Sequence, residues 1–423
     1  MRPLALLLPL LFTALSPAHA WRARTDSTGS TVHWAKEVTF LVDPEIGAEL
    51  GDENARAAID AALAEVERAA PGLRLSAVDG DGGGVGYDPA PGATNHSVIV
   101  ADDVWDYDEG LIAVTIVTVD TRRHEILDAD IAFNTRHRRF KVLPADSTPG
   151  GAFDDIQNTL THELGHAVGL AHNPELPEAV MYPGARRGEV TKRTLSADDI
   201  DGLQTLYPDA QAEGRGLTGI GPEGAVGCSA GGGSAAVWLI GLLVPLWLWR
   251  RRFARAAVVT VAASALCLPS SAHAQDAASE AVEVRDARAL EHAGSVLTGE
   301  VIVRHTLPRE PGSGVLWSEL EVRVRSCVKG SCPDTARIRV PGGREGDLEQ
   351  IVDHQPVPEP GEVVALALPE EVSLHRARPA LFRLSDTRGW VRFARALDRA
   401  RIAIPAGVPV SRLTSRSATT RRP

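Results

Sequence analysis

Polar and apolar positions in the first half of the chain alternate between two periods. Glu37–Asp43 (EVTFLVD) repeats at every second residue and predicts a strand. Glu53–Ala70 is rich in alanine and charge and stops at Pro71-Gly72, so it reads as a helix. Short strands follow at Leu73–Val78 and Ser97–Ala101, with the glycine-rich turn Gly80–Gly86 between them. Leu111–Val119 (LIAVTIVTV) is a β-branched apolar run, which predicts a buried central strand. Asp128–Asn134 alternates again, and Arg139–Leu143 predicts an edge strand before the loop Pro144–Gly151. A helix is expected from about Phe153-Asp154, with Asp154 and Asp155 in the first turn, where the helix dipole favours acids. Along it Ile156, Leu160, Leu164, Ala167 and Val168 form one apolar stripe. His162 and His166 fall on roughly the opposite side, beside Asp155 and Thr159.

After Tyr207 the pattern changes. Residues 209–233 are rich in glycine and poor in large apolar side chains, as in a flexible linker. Ala235–Trp249 is apolar throughout and ends in Arg250-Arg251-Arg252, so 234–252 is expected to span a membrane with its arginines on the cytoplasmic side. Residues 253–274 repeat the layout of a signal peptide: a basic start, the apolar run Ala256–Leu268 and an Ala-x-Ala ending at Ala274. Within 275–410 the runs Ser295–Val303, Glu319–Val324, Ala336–Val340 and Val363–Leu368 predict a small all-β domain, followed by a disordered basic tail over 411–423. No metal-ligand or nucleophile constellation is read in 275–423.

The chain opens in the same way as 253–274, with a basic start, the apolar run Leu4–Leu15 and Ser16-Pro-Ala-His-Ala20. Residues 1–20 therefore read as a secretory signal peptide cut after Ala20, and the product is expected outside the cytoplasm, at the cell envelope or extracellular. With only Trp21–Thr31 ahead of the first strand, a folded prodomain is not expected. A chain of 423 residues accommodates two or three domains. Between Trp21 and Tyr207 there are 16 Lys and Arg against 32 Asp and Glu, a net of −16, while the whole chain carries −11. Such an acidic half does not suit nucleic acid and is compatible with calcium sites. The four cysteines, Cys228, Cys267, Cys327 and Cys332, all lie beyond it. The first half thus has no disulfide framework, and no thiolate upstream of residue 162 could act as a latency switch on a metal. Cys327 and Cys332 bracket a turn-like spacer, and an oxidising compartment favours a bridge between them.

The chemistry is concentrated in Thr161–Asn173, THELGHAVGLAHN, where His162, Glu163, His166, Gly169 and His172 spell HExxHxxGxxH. Residues i and i+4 share a helix face, so His162 and His166 can offer two imidazole nitrogens to one ion. A third ligand cannot come from the same straight helix at this spacing. A positive φ at Gly169 would turn the chain and bring His172 round. Three neutral histidines leave a fourth position open for water, the mark of a catalytic zinc site. Zinc lowers the pKa of such a water towards about 7, and Glu163 is placed to take its proton as it attacks a carbonyl.

These residues resemble the metzincins, and within them the matrixin-like (interstitial-collagenase-type) peptidases. The resemblance spans roughly Val32–Tyr207. It implies a methionine turn beneath the zinc, which Met181 in Ala179-Val-Met-Tyr-Pro183 fits, and a closing helix at Leu195–Tyr207. Astacin-like and serralysin-like enzymes carry a ligating tyrosine where this chain has Pro183, so Tyr182 looks like the matrixin Met-Tyr-Pro. Asn173 departs from the serine usual there, and no His-x-x-Gly-Asp loop for a structural zinc follows Asp128–Asn134; His124 and His137 read as surface histidines. The implied fold is α+β: a metzincin-like catalytic domain over 21–208, with a twisted, mostly parallel sheet and three helices, then the transmembrane segment and the small all-β domain. The family also implies an extended peptide pairing with an edge strand, here Arg139–Leu143, and Pro183–Ala185 walling a specificity pocket. Gly227-Cys228, the apolar span and the arginine cluster resemble C-terminal sorting tails of myxobacterial surface proteins, although here 171 residues follow the arginines. Gln275–Pro423 is similar to small secreted β modules used for binding or spacing.

The expectation is a secreted or surface-anchored zinc metalloendopeptidase, monomeric, acting on protein or peptide substrates and touching a membrane through 234–252. Glu163 is the base, His162, His166 and His172 the ligands, and Gly169 and Met181 the supports. The alternative from another class is an inactive, zinc-holding surface adhesion protein. A further option makes Gln275–Pro423 a binding or inhibitory partner fused to the enzyme.

Overall fold

The computed structural model describes residues 21–35, 37–81, 84–208, 286–309, 314–355, 357–368, 380–384 and 387–403. The expected signal peptide 1–20, linker 209–233, span 234–252, second signal-like segment 253–274 and tail 411–423 lie outside them. Among the described residues no helix is long and apolar enough to cross a membrane.

In chain order the first part carries β1 (Arg22–Ala23), β2 (Val38–Val42), α1 (Ile46–Leu50), α2 (Ala55–Ala69), β3 (Leu75–Asp79), β4 (Ser97–Asp102), β5 (Ala113–Asp120) and β6 (Glu125–Asn134). It continues with β7 (Phe140–Lys141), β8 (Asp154–Asp155), α3 (Ile156–Ala167), β9 (Leu170–Ala171) and α4 (Ala197–Leu206). Strands β3, β2, β4 and β6 lie side by side and parallel, and β5 runs antiparallel beside β6. Parallel neighbours need a crossover, and α2 supplies the one between β2 and β3. Its Ile59, Ala62, Leu63 and Val66 recur at helical spacing and are all buried in one core with Leu160 and Leu164 of α3. Each fully buried Ile or Leu in that layer contributes about 1.5–3 kcal/mol. Beyond α2, Gly72 donates its N–H to Tyr207 O at 3.1 Å. A Cβ at residue 72 would sit 2.5 Å from Pro208 O, so the close approach of the domain's last turn requires glycine there.

Leu111–Val119 is buried and interior as expected: β5 has a paired strand on each side. Its unbroken apolar run has a plain cause. Ala113, Val117 and Val119 face the core of α2 and α3, while Val114 and Ile116 face a second cluster with Trp105, Tyr107, Val315 and Val352, so both faces are buried. The expected edge strand Arg139–Leu143 is shorter than its pattern. Only β7 is a strand there, and it pairs with β8 in a separate two-stranded ladder.

The start of α3 also differs. Asp154 and Asp155 belong to β8 and precede the helix. Asp155 is the N-cap, accepting from Asn158 N at 2.8 Å, and Asp154 binds Arg138 at 2.8 and 2.9 Å. A capping oxygen satisfies an orphan N–H directly, which contributes about 1 kcal/mol.

The later part forms β10 (Ser295–Thr306), β11 (Trp317–Lys329), β12 (Thr335–Pro341), β13 (Gly343–Glu345), β14 (Leu348–Val352), β15 (Val363–Leu368), β16 (Ala380–Arg383) and the helix α5 (Thr387–Arg399). An antiparallel sheet in the order β12-β11-β10-β15-β16 contains the four strands expected here. Cys327 and Cys332 form a disulfide with Cα atoms 5.6 Å apart. The region is not all-β. Phe393, Ala394, Ala396 and Leu397 make α5 amphipathic and bury it against Phe382, Leu384 and Leu290.

The hairpin β13–β14 leaves this sheet and joins the other one. β14 pairs antiparallel with β5, from Leu348 opposite Asp120 to Val352 opposite Ile116, which completes a seven-stranded sheet in the order β13-β14-β5-β6-β4-β2-β3.

Candidate metal centre

Helix α3 places His162 and His166 one turn apart, and the carbonyls around them decide how the rings face. His162 Nδ1 donates to Val180 O at 2.6 Å, and His166 Nδ1 donates to Leu170 O at 3.0 Å. A ring nitrogen facing a carbonyl oxygen must carry the proton, which leaves both Nε2 lone pairs free. They converge on His172 Nε2, at 3.3 Å from His162 and 3.1 Å from His166.

His172 arrives through Gly169. Its φ is +97°, its N–H donates to His166 O at 3.0 Å, and a Cβ there would stand 2.7 Å from Val32 O. Glycine is required by conformation and by space alike. The turn leads into β9, which pairs with β1, and the next residue is His172.

Met181 lies beneath α3 against Gly165, where any Cβ would collide with its Sδ. Its turn is suspended from the N-terminus of α4. Asp199 Oδ2 accepts from Val180 N at 2.8 Å and Oδ1 from Met181 N at 3.2 Å, while the same carboxylate closes a capping box with Ser196. Asn173 holds the other side, donating its N–H to Met181 O at 2.8 Å and its Nδ2 to Asp198 Oδ2 at 2.7 Å. The departure at residue 173 is therefore a buried amide joining the third histidine to α4.

Glu163 points into the same space. Thr115 Oγ1 of β5 donates to its Oε2 at 2.7 Å. Burial pulls the Glu163 carboxyl upward, but the hydrogen bond and charge of His354, with His162 and Thr115, hold it below its ordinary value. Burial pushes His162 down to about 4 and His166 and His172 well below the usual histidine range, so all three are neutral and able to donate a lone pair at pH 7.

The histidines were expected on a face clear of the core stripe, but every residue of the helix except Gln157 is buried. Part of the cover comes from the later domain. His354, just after β14, stands 4.5 Å from His172, 5.4 Å from His162 and 5.3 Å from His166 between ring centroids. One nitrogen from each of His162, His166, His172 and His354 lies within 4.8 Å of all the others. This corrects one expectation: 275–423 does bring a potential ligand to the constellation. The sequence signal was slight, since His354 belongs to no spaced motif. The one available clue was the doubly apolar strand β5, which called for a covering element. Neither His124 nor His137 joins the cluster; His124 pairs with Asp26 at 2.7 Å, and His137 lines the adjoining cleft.

The residues fit a zinc ion. A tetrahedron with metal–nitrogen bonds of about 2.0–2.1 Å has edges near 3.3–3.4 Å. The 3.1 and 3.3 Å separations of the three Nε2 atoms match that edge. Three lone pairs converging without a proton between them also need a cation.

A cleft of about 1250 Å³ opens beside His162 and Glu163 and is lined by Pro183, Gly184 and Ala185, the segment expected to wall a pocket. Buried Lys192 pins that wall, donating to Tyr182 O at 3.0 Å and to Gly184 O. Burial brings its ammonium down to about 8.

Comparison with known proteins agrees with this geometry. Residues 33–208 match the Matrixin family of peptidases. Matrilysin from Homo sapiens is 51% identical over 47 residues, 11% of this chain and 17% of that protein. Neutrophil collagenase from Homo sapiens is 48% identical over 77 residues, 15% of this chain and 16% of that protein. Metalloendoproteinase 1 from Glycine max is 33% identical over 100 residues, 23% of this chain and 29% of that protein. The chain thus aligns with less than a third of the length of each. The matrixin match supports a metalloprotease built on residues 33–208.

Proposed function

We propose that residues 21–208 form an exported zinc endopeptidase that hydrolyses peptide bonds in proteins, with His162, His166 and His172 holding the ion and Glu163 as general base. The observation that carries this reading is the convergence of three neutral imidazoles beside one buried carboxylate at the mouth of a cleft. Zinc in this site would polarise the scissile carbonyl and acidify the attacking water. Glu163 takes the water's proton on its carboxylate, held in place by the Thr115 hydroxyl, and returns it to the departing amine. Asp199, through Val180 O, keeps His162 in the tautomer that binds metal. The strand beside the site is β5, which carries Thr115 and runs alongside α3, and an extended substrate would pair with its outer edge, where β14 lies in this structure. The wall Pro183–Ala185, braced by Lys192, selects the residue entering the cleft.

Export rests on the pattern of residues 1–20, and attachment to the envelope on that of 234–252. An adhesion module that merely held zinc would have no use for Glu163. The test is Glu163→Ala made in the His354→Ala chain, which leaves the space beside the cluster open, and compared with that parent. The variant keeps its zinc and loses cleavage of a quenched peptide by about 10²–10⁴-fold, the usual worth of a positioned base. Undiminished cleavage by that variant would remove the mechanism.

A further inference from the structure

Among the described residues, the outer edge of β5 is where an extended chain can be added to the sheet beside the imidazole cluster. β14 already lies there. The ladder is extended at both ends, by Thr121 N donating to Asp347 O and by Asp353 N donating to Thr115 O, each at 2.9 Å. Behind it, Val352 and Val315 share a buried core with Trp105, Tyr107, Val114 and Ile116. Ser27 N donates to Glu349 Oε2 at 2.7 Å, and Gly86 forms a β-bridge with Gly314.

Just past the ladder, His354 adopts φ +63°, in the left-handed region that a residue with a side chain occupies when its surroundings impose it. That conformation aims the imidazole into the cluster, with Nε2 3.5 Å from Glu163 Oε1. Asp353, its neighbour, pairs with buried Arg24 and stands 3.4 Å from His166 Nδ1. A buried ion pair adds little net stability, but losing one partner strands the other, so the pair specifies this arrangement against others.

We propose that β14 with the Asp353-His354 turn is an intramolecular inhibitor. His354 takes the fourth coordination position of the metal, and β14 takes the strand position of a substrate, so the chain as folded is latent. The proposal rests on the zinc-site reading above. It gives the later domain a function and supplies latency without a cysteine. A set of four imidazoles is a closed coordination sphere, with no position left for the attacking water.

The test uses the full chain, freed of metal and reloaded with Co²⁺, as wild type and as His354→Ala. In the wild type the visible spectrum stays unchanged on adding azide, a small anion that binds an open metal position. In His354→Ala the spectrum shifts and then responds to azide, and a quenched peptide is cleaved at least 10-fold faster than by the wild type. A wild-type spectrum that responds to azide as readily as the variant's would overturn the fourth ligand. Amide exchange on the wild type probes the strand independently of how well the variant folds. The Thr115–Thr121 segment is protected if β14 covers it, and fast exchange there would overturn the inhibitor. A wild type that takes up no Co²⁺ would overturn the metal-site reading and this proposal with it. Azide sensitivity gained by His354→Ala without any peptide cleavage would instead sustain the fourth ligand and remove the peptidase reading.

Discussion

Asp199 offers the sharpest measure of how the fold supports the candidate metal centre. Its carboxylate is buried and accepts four hydrogen bonds: Val180 N at 2.8 Å, Ser196 N at 2.9 Å and Ser196 Oγ at 2.6 Å on Oδ2, and Met181 N at 3.2 Å on Oδ1. Asparagine at this position can keep only one oxygen. In its better orientation it retains the three bonds at Oδ2 and turns an NH₂ group towards Met181 N. Three bonds then fall from charged to neutral strength, and one buried N–H is left without an acceptor. With about 1 kcal/mol lost from each weakened bond and about 1–3 kcal/mol for the orphaned donor, Asp199→Asn should cost roughly 4–6 kcal/mol. For a domain of this size that lowers the thermal midpoint by about 10 °C or more. Movement of Val180 O releases His162 Nδ1, so zinc affinity should fall by about 10–100-fold. The assays are thermal unfolding by circular dichroism and zinc competition against a chromophoric chelator. Ser196→Ala serves as the control, because it removes the helix cap, about 1 kcal/mol, and leaves the Met181 turn attached. The reasoning fails if Asp199→Asn binds zinc as tightly as Ser196→Ala does.

Gly169→Ala should destabilise the chain by at least about 2 kcal/mol, from left-handed strain and the clash with Val32 O, and should weaken zinc binding by displacing His172; unchanged thermal stability and affinity would contradict the turn described. The adjacent carboxylates Asp128 and Asp130 predict a pH dependence. Burial raises Asp128 from 3.8 to about 7, and burial with the Asp128 charge raises Asp130. The folded state therefore holds protons that the unfolded chain has released, and stability falls as pH rises from about 4 to about 7. Asp128→Asn should gain on the wild type in thermal midpoint across that window, and a constant difference would refute the assignment.

Much of the candidate site was legible because its chemistry is local. The i, i+4 spacing of His162 and His166 follows from the helical repeat, Gly169 from the need for a left-handed turn, and Met181 from a short motif downstream. Capping was less legible. The stretch Phe153–Asp155 reads equally as a first helical turn or as a strand ending in a cap, and pairing with β7 decides between them.

What the sequence determined by itself were the elements whose signals lie within one or two turns of chain: the helices α2 and α3, the alternating strands, the disulfide between Cys327 and Cys332, and the ligand spacing. What only the tertiary structure decided depends on partners distant in sequence. An apolar run such as Leu111–Val119 records a buried interior strand, but not what buries it, so nothing local announced that one of its neighbours is β14 from the later domain. His354 is invisible for the same reason. A single histidine has no periodicity, and its place among the other three is set by the register of a β-ladder that closes over most of the chain.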